Sequence, residues 1–322
     1  MKPSVLVTRR LPAPVEAMLA ERYDVALNRA DRPLRADELR EAIRSYDAVL
    51  PTVTDKITAE ALDVPKARTK ILANYGVGYT HIDVASATSK GIAITNTPDV
   101  LSECTADLAM TLMLMVARRA GEGEREMRAG LWDGWRPTHL VGSKVSGKVL
   151  GIVGFGRIGQ EMARRAHHGF GMEIVVYNRS TVDPAILAQF NARQVDSIDA
   201  LLPLADFVSL HCPGGKDNAK MINGRRLDLM KPSAYLINTA RGECVDEAAL
   251  AQALMFDTIA GAALDVFERE PAVNPMLAQC DNVVMLPHLG SATAEARAAM
   301  GYRALANLDD FFEGRTPRDR VA

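Results

Sequence analysis

Cysteine is scarce in this sequence, and its few copies lie far apart. The 322 residues contain no Cys-x-x-Cys pair, and the four cysteines are Cys104, Cys212, Cys244 and Cys280. A disulfide-stapled fold needs paired cysteines in a short chain, and a structural zinc site needs closely spaced ligands. Both classes are therefore excluded. We predict no metal site and expect buried, free thiols in a reducing compartment.

Long apolar runs and an excess of one charge are also missing. The longest apolar stretch, 108–117, is shorter than the ~18–20 residues that a membrane span requires. The apolar run at 4–7 is too short for a signal peptide, and two arginines follow it. The formal net charge is −2, which gives no general attraction to nucleic acid or to a membrane surface. We expect a cytoplasmic protein with neither kind of partner.

The length and the pattern of the chain are those of a globular protein with two domains. At ~150 residues a domain, 322 residues suggest about two. Up to about residue 99, amphipathic helical patterns alternate with short apolar runs, which lie at 4–8, 25–27, 48–51, 70–74 and 92–95. Such alternation predicts a parallel sheet with helices on both faces. It resumes after residue 149, so the whole chain is predicted to be α/β.

The stretch between these two regions has a different character. Residues 101–119 are apolar nearly all round and predict a deeply buried helix, with Met110, Met113 and Met115 as core or interface filler. Residues 121–147 show no clear periodicity, and we predict an irregular connecting loop there.

Three glycines define the segment around which the sequence is organised. The segment GIVGFGRIG, 151–159, lies between an apolar run and a helical pattern, and a second strand pattern follows at 173–177. Gly154 permits a tight turn, Gly156 lets a pyrophosphate approach the backbone, and Gly159 lets the helix pack close to the strand. The pattern predicts a dinucleotide-binding unit with phosphates at the helix N-terminus. A glycine turn in an unrelated α/β unit is the alternative.

Polar side chains follow three of the predicted strands in the second region. Arg241, Asp265 and His288 each come after a strand, and Glu270 lies in the loop after Asp265. Ligands of open parallel sheets bind beyond the carboxyl ends of the strands, which favours a functional role. The structural alternative is that Arg241 pairs with Asp265 and that His288 caps a turn.

Taken together, these side chains fit hydride transfer to a 2-oxo acid. Arg241 offers a planar fork that can hold a carboxylate by two bonds. His288 can give the proton that the carbonyl oxygen needs, since an imidazole can be protonated near neutral pH. Glu270 beside the histidine would stabilise the imidazolium. A nicotinamide cofactor would carry the hydride.

Five segments carry a family resemblance. They are NYGVGYTHIDV (74–84), the glycine segment (151–159), NTARGECVDE (238–247), ALDVFEREP (263–271) and LPHLGSAT (286–293). With these motifs in this order, the sequence resembles the D-isomer-specific 2-hydroxyacid dehydrogenase family over nearly its full length. The segments GFGMEIVVYNRS, NTPDVLSECTADLAM and WDGWRPTHLVG are most similar to its glyoxylate/hydroxypyruvate reductase branch.

The resemblance implies an architecture and an assembly. A Rossmann-type dinucleotide-binding domain, 100–290, would be inserted into a smaller flavodoxin-like substrate-binding domain, 1–99 plus 291–322. Both would be doubly wound parallel sheets, with the site in the cleft. Family members are usually homodimers through the 101–119 region. His139 lies in the segment that, in reductases of this branch, reaches the neighbouring active site.

The resemblance also implies roles for individual residues. Arg241, Glu270 and His288 match the family's catalytic arginine, glutamate and histidine. Val77 and Gly78 match the loop whose backbone N–H groups hold the substrate carboxylate.

A larger set is expected to contact the cofactor, and within it Asp265 matches the residue that fixes the nicotinamide amide. The expected contacts are Gly154, Gly156, Arg157, Ile158, Gly159, Asn178, Arg179, Ser180, Cys212, Pro213, Thr239, Ala240, Asp265, His288 and Gly290.

One position departs from the pattern of an NAD enzyme. Such enzymes place an Asp about 20 residues after the glycine motif, where it binds the ribose hydroxyls. Asn178 stands there, 19 residues after Gly159, and Arg179 and Ser180 follow. An Asp would repel a 2′-phosphate, whereas Arg179 and nearby hydroxyls would bind it; the alternative is an arginine lying in solvent. We predict NADPH as the preferred cofactor and NADH as the second.

The sequence therefore predicts an NADPH-dependent reductase that converts glyoxylate and hydroxypyruvate to glycolate and D-glycerate, with His288 as proton donor. Two alternatives stay open. One is another reductase of the family, of the phenylpyruvate or phosphoglycerate type; the second of these needs extra cations near 74–80, where the sequence has none. The other is a nucleotide-sensing corepressor, a class that carries disordered tails which this sequence does not contain.

Overall fold

The computed structural model describes all 322 residues, and the chain divides into two compact units. Unit 1 consists of Met1–Leu101 and Ala292–Ala322, and unit 2 consists of Ser102–Ser291. Each unit contains one sheet, and every pairing between neighbouring strands is parallel. The predicted fold class, two α/β units with doubly wound parallel sheets, is confirmed.

Unit 1 begins with five short strands that follow the apolar runs of the sequence. They are β1 (Ser4–Val7), β2 (Asp24–Leu27), β3 (Ala48–Leu50), β4 (Ile71–Ala73) and β5 (Ala93–Thr95). Their order in the sheet is β2-β1-β3-β4-β5. Every residue of β3, β4 and β5 is buried, as expected when both faces of a parallel sheet are covered.

Four helices connect these strands. They are α1 (Ala13–Arg22), α2 (Ala36–Ser45), α3 (Ala59–Leu62) and α4 (Val84–Ser89). The sequence patterns do not predict α3 and α4, because helices of four and six residues are too short to show a helical period. Both begin at a side-chain cap, since Thr58 accepts the Ala61 N–H and Asp83 accepts the Ser86 N–H.

Seven strands form the sheet of unit 2. They are β6 (Val149–Val153), β7 (Glu173–Tyr177), β8 (Arg193–Gln194), β9 (Phe207–Leu210), β10 (Tyr235–Asn238), β11 (Gly261–Leu264) and β12 (Val283–Met285). Their order is β12-β11-β10-β9-β6-β7-β8. The strand order changes direction at β6, so the glycine turn after β6 lies where an open sheet of this kind binds its ligand.

Helices of unit 2 cover both faces of this sheet. They are α5 (Ser102–Ala117), α6 (Ala120–Ala129), α7 (Arg157–Arg164), α8 (Pro184–Ala188), α9 (Ile198–Leu201), α10 (Gly224–Leu227) and α11 (Glu247–Met255). Alternate strand residues enter two different cores: Phe207 packs in the core that contains α5, and Val208 packs in the core that contains α11. No helix in the chain combines the length and the apolar character that crossing a membrane would need.

The predicted loop over 121–147 is wrong for its first part, because residues 120–129 form α6. No residue of α6 is buried. Surface ion pairs accompany it instead, with Arg119 at 2.6 Å from Glu122 and Arg128 paired with Glu124. Without a buried apolar face, α6 leaves no hydrophobic period in the sequence. The remainder, 131–147, is irregular as predicted.

The predicted burial of the thiols holds for Cys244 alone. Cys104, Cys212 and Cys280 are partly exposed, and none of the four cysteines forms a disulfide. Cys104 lies in the first turn of α5, and Cys212 lies two residues beyond β9. Residues at the ends of elements retain access to solvent that residues within the strands lose.

The chain returns to unit 1 in its last helix, α12 (Ala294–Phe312). Beyond α12, the tail pairs with the edge of the sheet, because the Val321 N–H donates to Ile94 O at 2.8 Å and the Ile94 N–H donates to Ala322 O at 3.1 Å. Asp319 anchors the tail to α12 through Arg303, at 2.6 Å. The tail therefore covers the backbone of β5, which would otherwise be an open edge.

Helix α12 packs against α1 without room for a side chain at Gly301, where a Cβ would lie 2.6 Å from both methyl groups of Val15. We expect Gly301→Ala to lower the midpoint of thermal unfolding, because overpacking costs roughly 1–3 kcal/mol while helix propensity returns only about 1 kcal/mol. In a Val15→Ala background both methyl contacts are absent and only the Cβ of residue 15 remains close, at 3.1 Å, so the same change should lower the midpoint much less. Calorimetry of the four proteins tests this; equal effects in both backgrounds would contradict the packing argument.

Candidate active site

The carboxyl ends of β9, β10, β11 and β12 bring the predicted polar residues of unit 2 to one edge of its sheet. These four strands are neighbours, and Asn238 is in register with both Leu210 and Leu264. The segments that carry Arg241 and Asp265 therefore leave the sheet side by side. His288 joins them after β12.

Two of the three glycines of the turn after β6 are required by the protein's own packing. Gly154 has φ +92°, and a Cβ there would lie 2.7 Å from the Cys212 N atom. A Cβ on Gly159 would lie 2.3 Å from the Gly154 carbonyl oxygen. The first glycine therefore permits the turn against β9, and the third lets α7 pack close to β6.

Gly156 differs, because nothing in the chain lies within 4 Å of the position of its absent Cβ. It immediately precedes α7, whose first two residues are Arg157 and Ile158. The open space therefore lies at a helix N-terminus, where backbone N–H groups have no partner within the helix. Packing within the chain does not require a glycine at position 156. The open space beside a helix N-terminus instead fits the pyrophosphate of a dinucleotide. The residues present thus fit the cofactor that the sequence predicts.

His288 and Glu270 are in direct contact. Nδ1 of His288 lies 2.8 Å from Oε2 of Glu270, and about one third of each side chain is exposed. Because Nδ1 faces a carboxylate, it carries the proton of that bond and leaves Nε2 as the nitrogen available to a ligand. Oε1 of Glu270 accepts the Phe267 N–H at 3.1 Å, which fixes the carboxylate in turn.

Opposing effects set the pKa of the Glu270 carboxyl. Burial raises this pKa, whereas the hydrogen bond and charge of His288, the Phe267 N–H and the charge of Arg241 lower it. The lowering effects prevail, so the pKa lies below its usual range and the group is ionised at neutral pH. Glu270 is therefore a permanent anion placed against an imidazole and near a guanidinium.

Asp265 fixes the backbone of the turn that carries His288. It is 1% exposed, and its two oxygens accept the Leu289 N–H at 2.6 Å and the Gly290 N–H at 2.8 Å. Burial raises the pKa of Asp265 more than these bonds and the charge of His288 lower it. His288 itself has φ +56°, a strained conformation for a residue with a side chain, and these bonds hold it there.

Arg241 lies in a turn shaped by Asn238. The Asn238 side chain donates from Nδ2 to Arg241 O at 2.9 Å and accepts the Ala240 N–H at 3.0 Å, while Arg241 Nη1 donates to Ala240 O at 2.6 Å. No ion pair joins Arg241 to Asp265, so the structural alternative for these two residues is wrong.

Sequence reasoning missed two buried residues that shape the site. Asn238 is 1% exposed and Glu247 is 6% exposed. The Glu247 carboxylate accepts the Glu268 N–H at 2.6 Å, and the Glu268 carboxylate accepts the Glu247 N–H at 3.1 Å, which ties the loop of Glu270 to α11. The position of Asn238 at a strand end before a turn was the available signal, since asparagine amides cap such turns.

In unit 1, the predicted carboxylate-binding loop after β4 has its carbonyl groups engaged. Asn74 donates to Gly76 O and to Gly78 O at 2.9 and 3.1 Å, and Asn96 donates to Val77 O at 2.9 Å. The N–H groups of Val77 and Gly78 have no partner in the chain. A loop with engaged carbonyls and unpaired amides is suited to an anion.

After β7, the predicted ribose site is organised by Asn178. Its Oδ1 accepts the Phe155 N–H of the glycine turn at 3.1 Å, and its Nδ2 donates to Ser180 O and Oγ at 3.0 and 3.1 Å. Arg179 is exposed and makes no bond within the chain. An arginine without a protein partner stands beside a neutral amide.

The other predicted cofactor contacts lie at the ends of β9 and β10. Cys212 and Pro213 follow β9, and the Cys212 backbone packs on Gly154. Thr239 and Ala240 follow β10, and the Thr239 hydroxyl is buried without a partner. His139 lies elsewhere in unit 2, at 3.0 Å from Glu126 and 2.8 Å from Arg136 of its own chain.

Known proteins are similar to this chain over its whole length. Residues 110–290 match the family model described as D-isomer specific 2-hydroxyacid dehydrogenase, NAD binding domain. The glyoxylate reductase of Thermococcus litoralis is 46% identical, over 100% of this chain and 97% of that protein.

Solved structures agree with this match. The NADPH-dependent glyoxylate/hydroxypyruvate reductase of Sinorhizobium meliloti, solved with NADP and malonate, has a TM-score of 0.89 and 33% identity, over 100% of this chain and 97% of that one. A glyoxylate reductase from Paecilomyes thermophila has a TM-score of 0.88 and 31% identity, over 99% and 98% of the two chains. The chain therefore belongs to the D-isomer specific 2-hydroxyacid dehydrogenase family, in its glyoxylate reductase branch, and is an NAD(P)-dependent dehydrogenase.

Proposed function

We propose that this protein reduces glyoxylate and hydroxypyruvate to glycolate and D-glycerate with NADPH. The 2.8 Å contact between His288 Nδ1 and Glu270 Oε2 carries the proposal, because it places an acid and its stabilising anion in one unit with Arg241. The glyoxylate reductases among the relatives, at 41–46% identity, support the choice of substrate.

In this proposal, Arg241 holds the substrate. The guanidinium of Arg241 binds the carboxylate of the 2-oxo acid and polarises its carbonyl group. Its planar fork fixes the orientation of a substrate that has few atoms by which it can be recognised. In unit 1, the unpaired N–H groups of Val77 and Gly78 are proposed to bind a carboxylate as well.

His288 supplies the proton. Its Nε2–H faces the carbonyl oxygen and protonates it as negative charge develops there. Glu270 stabilises the imidazolium from which the proton leaves, and Asp265 keeps the histidine turn in place. In the oxidative direction the same imidazole, once neutral, takes the proton back.

The residues around the glycine turn would hold the nicotinamide cofactor. Gly154, Gly156 and Gly159 form the phosphate cradle, and Asp265 and Gly290 lie at the nicotinamide end. When bound, the cofactor supplies the hydride that reaches the carbonyl carbon.

A substrate panel tests the function. We expect the highest kcat/KM for glyoxylate and hydroxypyruvate, and lower values for pyruvate, phenylpyruvate and 3-phosphohydroxypyruvate, each assayed with NADPH and with NADH. A preference for phenylpyruvate or for the phosphorylated acid would assign the protein to another type within the family. Absence of turnover with every acid, together with tight cofactor binding, would favour the nucleotide-sensing corepressor.

NADPH preference is proposed from the residues after β7. Arg179 is exposed and unpaired, and Asn178 removes the negative charge that an NAD enzyme has at this position. The Sinorhizobium meliloti reductase, an NADPH-dependent enzyme by its description, supports the same choice.

A homodimer is proposed from exposed apolar side chains that follow α5. Most of α5 is buried within unit 2, so the free apolar surface lies after it. We name this surface the arm; its residues are Met127, Leu131, Trp132, Trp135 and Val141, with Trp135 80% exposed. Such a cluster is uncommon on a monomer and is typical of a protein interface. We infer that the arm packs on a second copy and that His139, within the same segment, lies near the site of that copy.

Replacing His288 removes the proton donor. We expect His288→Ala to lower kcat for glyoxylate reduction by roughly 10²–10⁴, the usual contribution of a positioned acid. The dissociation constant of NADPH should change little, because the glycine turn is intact. Steady-state kinetics and fluorescence titration measure the two quantities, and turnover close to that of the wild type would refute the assignment.

Replacing Glu270 removes the anion that stabilises protonated His288. Reduction requires the protonated imidazole, so in Glu270→Gln the fall of kcat/KM with rising pH should begin at a more acidic pH. The control is Glu60→Gln, whose carboxylate is 79% exposed in unit 1 and should leave the profile in place. An unshifted profile for Glu270→Gln would separate Glu270 from the proton transfer.

Two substitutions test the cofactor preference. Each charge-assisted bond to the 2′-phosphate is worth about 1.5–3 kcal/mol, and 1.4 kcal/mol is about tenfold in affinity. We expect the wild type to favour NADPH at least ~10-fold in kcat/KM, and Arg179→Ala to lose most of that preference through weaker NADPH use alone. Asn178→Asp should lower the preference for NADPH still more than Arg179→Ala does, because its carboxylate repels the 2′-phosphate. A wild type that favours NADH would contradict the proposal.

Sedimentation measurements test whether the arm is the dimer interface. Trp135→Glu places a charge at the most exposed apolar side chain of the arm, and we expect it to convert a dimer to a monomer at micromolar concentration. Leu204→Glu, a change at a smaller exposed apolar residue outside the arm, should leave the dimer intact. A wild-type monomer, or a Trp135→Glu dimer of unchanged affinity, would count against the arm as the interface.

A further inference from the structure

Asn238 is almost completely buried at the end of β10, three residues before Arg241. Its side chain is 1% exposed, and both ends of its amide are used within the same short turn. Oδ1 accepts the Ala240 N–H at 3.0 Å, and Nδ2 donates to Arg241 O at 2.9 Å.

These two bonds bracket the backbone of Arg241. One holds the N–H of the residue before it, and the other holds its own carbonyl group. A buried amide that loses a partner costs about 1–3 kcal/mol, so the turn and the amide hold one another in a single geometry. The direction in which the Arg241 side chain leaves the backbone is thereby fixed.

The residue after Arg241 is fixed by a different contact. Gly242 lies against the backbone of Phe267, where a Cβ would come within 1.9 Å of the Phe267 carbonyl carbon. Phe267 in turn donates its N–H to Glu270. The turn is therefore anchored on its far side by the loop of Glu270 and by the Cys244 N–H, which donates to Arg241 O at 3.2 Å, and on its near side by the Asn238 amide.

We propose that Asn238 is a positioning residue for substrate binding and acts through Arg241. The inference rests on the proposed function, in which Arg241 holds the carboxylate of the 2-oxo acid. With only 1% of its surface exposed, Asn238 acts by setting the turn from which the guanidinium extends.

The isosteric change Asn238→Asp separates positioning from packing. It keeps the volume and the acceptor for the Ala240 N–H, but it removes the donor to Arg241 O and sets two oxygens against each other. The KM for glyoxylate should rise at least ~10-fold, a loss of about 1.4 kcal/mol, and the dissociation constant of NADPH should stay within about twofold.

A double-mutant cycle with Arg241→Met tests whether Asn238 acts through the guanidinium. KM for glyoxylate is measured at saturating NADPH for the wild type, both single variants and the double variant. Asn238→Asp should raise KM at least ~10-fold with Arg241 present and less than about twofold in the Arg241→Met background. Equal increases in both backgrounds, or no increase beside Arg241, would overturn the proposal.

A matched control uses another asparagine of unit 2. Asn282 lies at the amino end of β12, away from the site, and its amide donates to Leu254 O at 3.2 Å. Asn282→Asp should lower the midpoint of thermal unfolding and leave KM unchanged. If Asn238→Asp does not fold, Asn238→Ser, which retains a short oxygen acceptor, takes its place in the cycle.

The single variant Arg241→Met distinguishes the proposed role of Arg241 from that of Asn238. An unchanged KM in Arg241→Met would refute the proposed role of the arginine itself. A raised KM in Arg241→Met, combined with additive effects in the cycle, would refute the role of Asn238 alone.

Discussion

Parallel pairing of β9, β10, β11 and β12 is the constraint on which the site depends. With Asn238 in register with both Leu210 and Leu264, the segments that follow leave the sheet along one edge. Arg241 and His288 are 47 positions apart in the sequence, and this edge brings them into one electrostatic group with Glu270. Short loops alone could not hold such groups together, because loop backbone is the most mobile part of a fold. Here each segment begins directly after a strand of the sheet.

Buried polar side chains convert this arrangement into a rigid one. Asn238, Glu247 and Asp265 are each less than 10% exposed, and each hydrogen-bonds to the backbone of a turn that carries or precedes a reactive side chain. A buried polar group must find a partner or lower the stability of the fold. Because the partners are the site's own turns, stability and reactivity depend on the same bonds. The strained φ of His288 is one result, since the Asp265 bonds offset its cost.

Much of the fold could be predicted from the sequence, because burial leaves a pattern. Strands buried on both faces give apolar runs, and the runs at 48–51, 70–74 and 92–95 became β3, β4 and β5. Helix α6 could not be found in this way, since it buries no residue, and α3 was too short to show a period. The residues of the proposed site were predicted by their places after strands and by resemblance. Asn238 was not, although its place at a strand end before a turn was a signal, because the backbone atoms that its amide contacts are known only from the folded turn.

The glycine turn after β6 and the turn that carries His288 show which properties of the site the sequence determines and which the tertiary structure determines. The residue types of Gly154, Gly159, Arg241 and His288 already limited the chemistry, because a turn of φ +92° needs glycine and a bidentate fork needs arginine. Which atoms meet was decided only by the folded chain. The Nδ1 of His288 faces Glu270, the Asp265 oxygens bind backbone N–H groups, and Arg241 takes no ion pair with Asp265. A sequence specifies side chains and local periods, whereas distances between residues far apart in the chain arise from strand register and packing, which the tertiary structure alone sets.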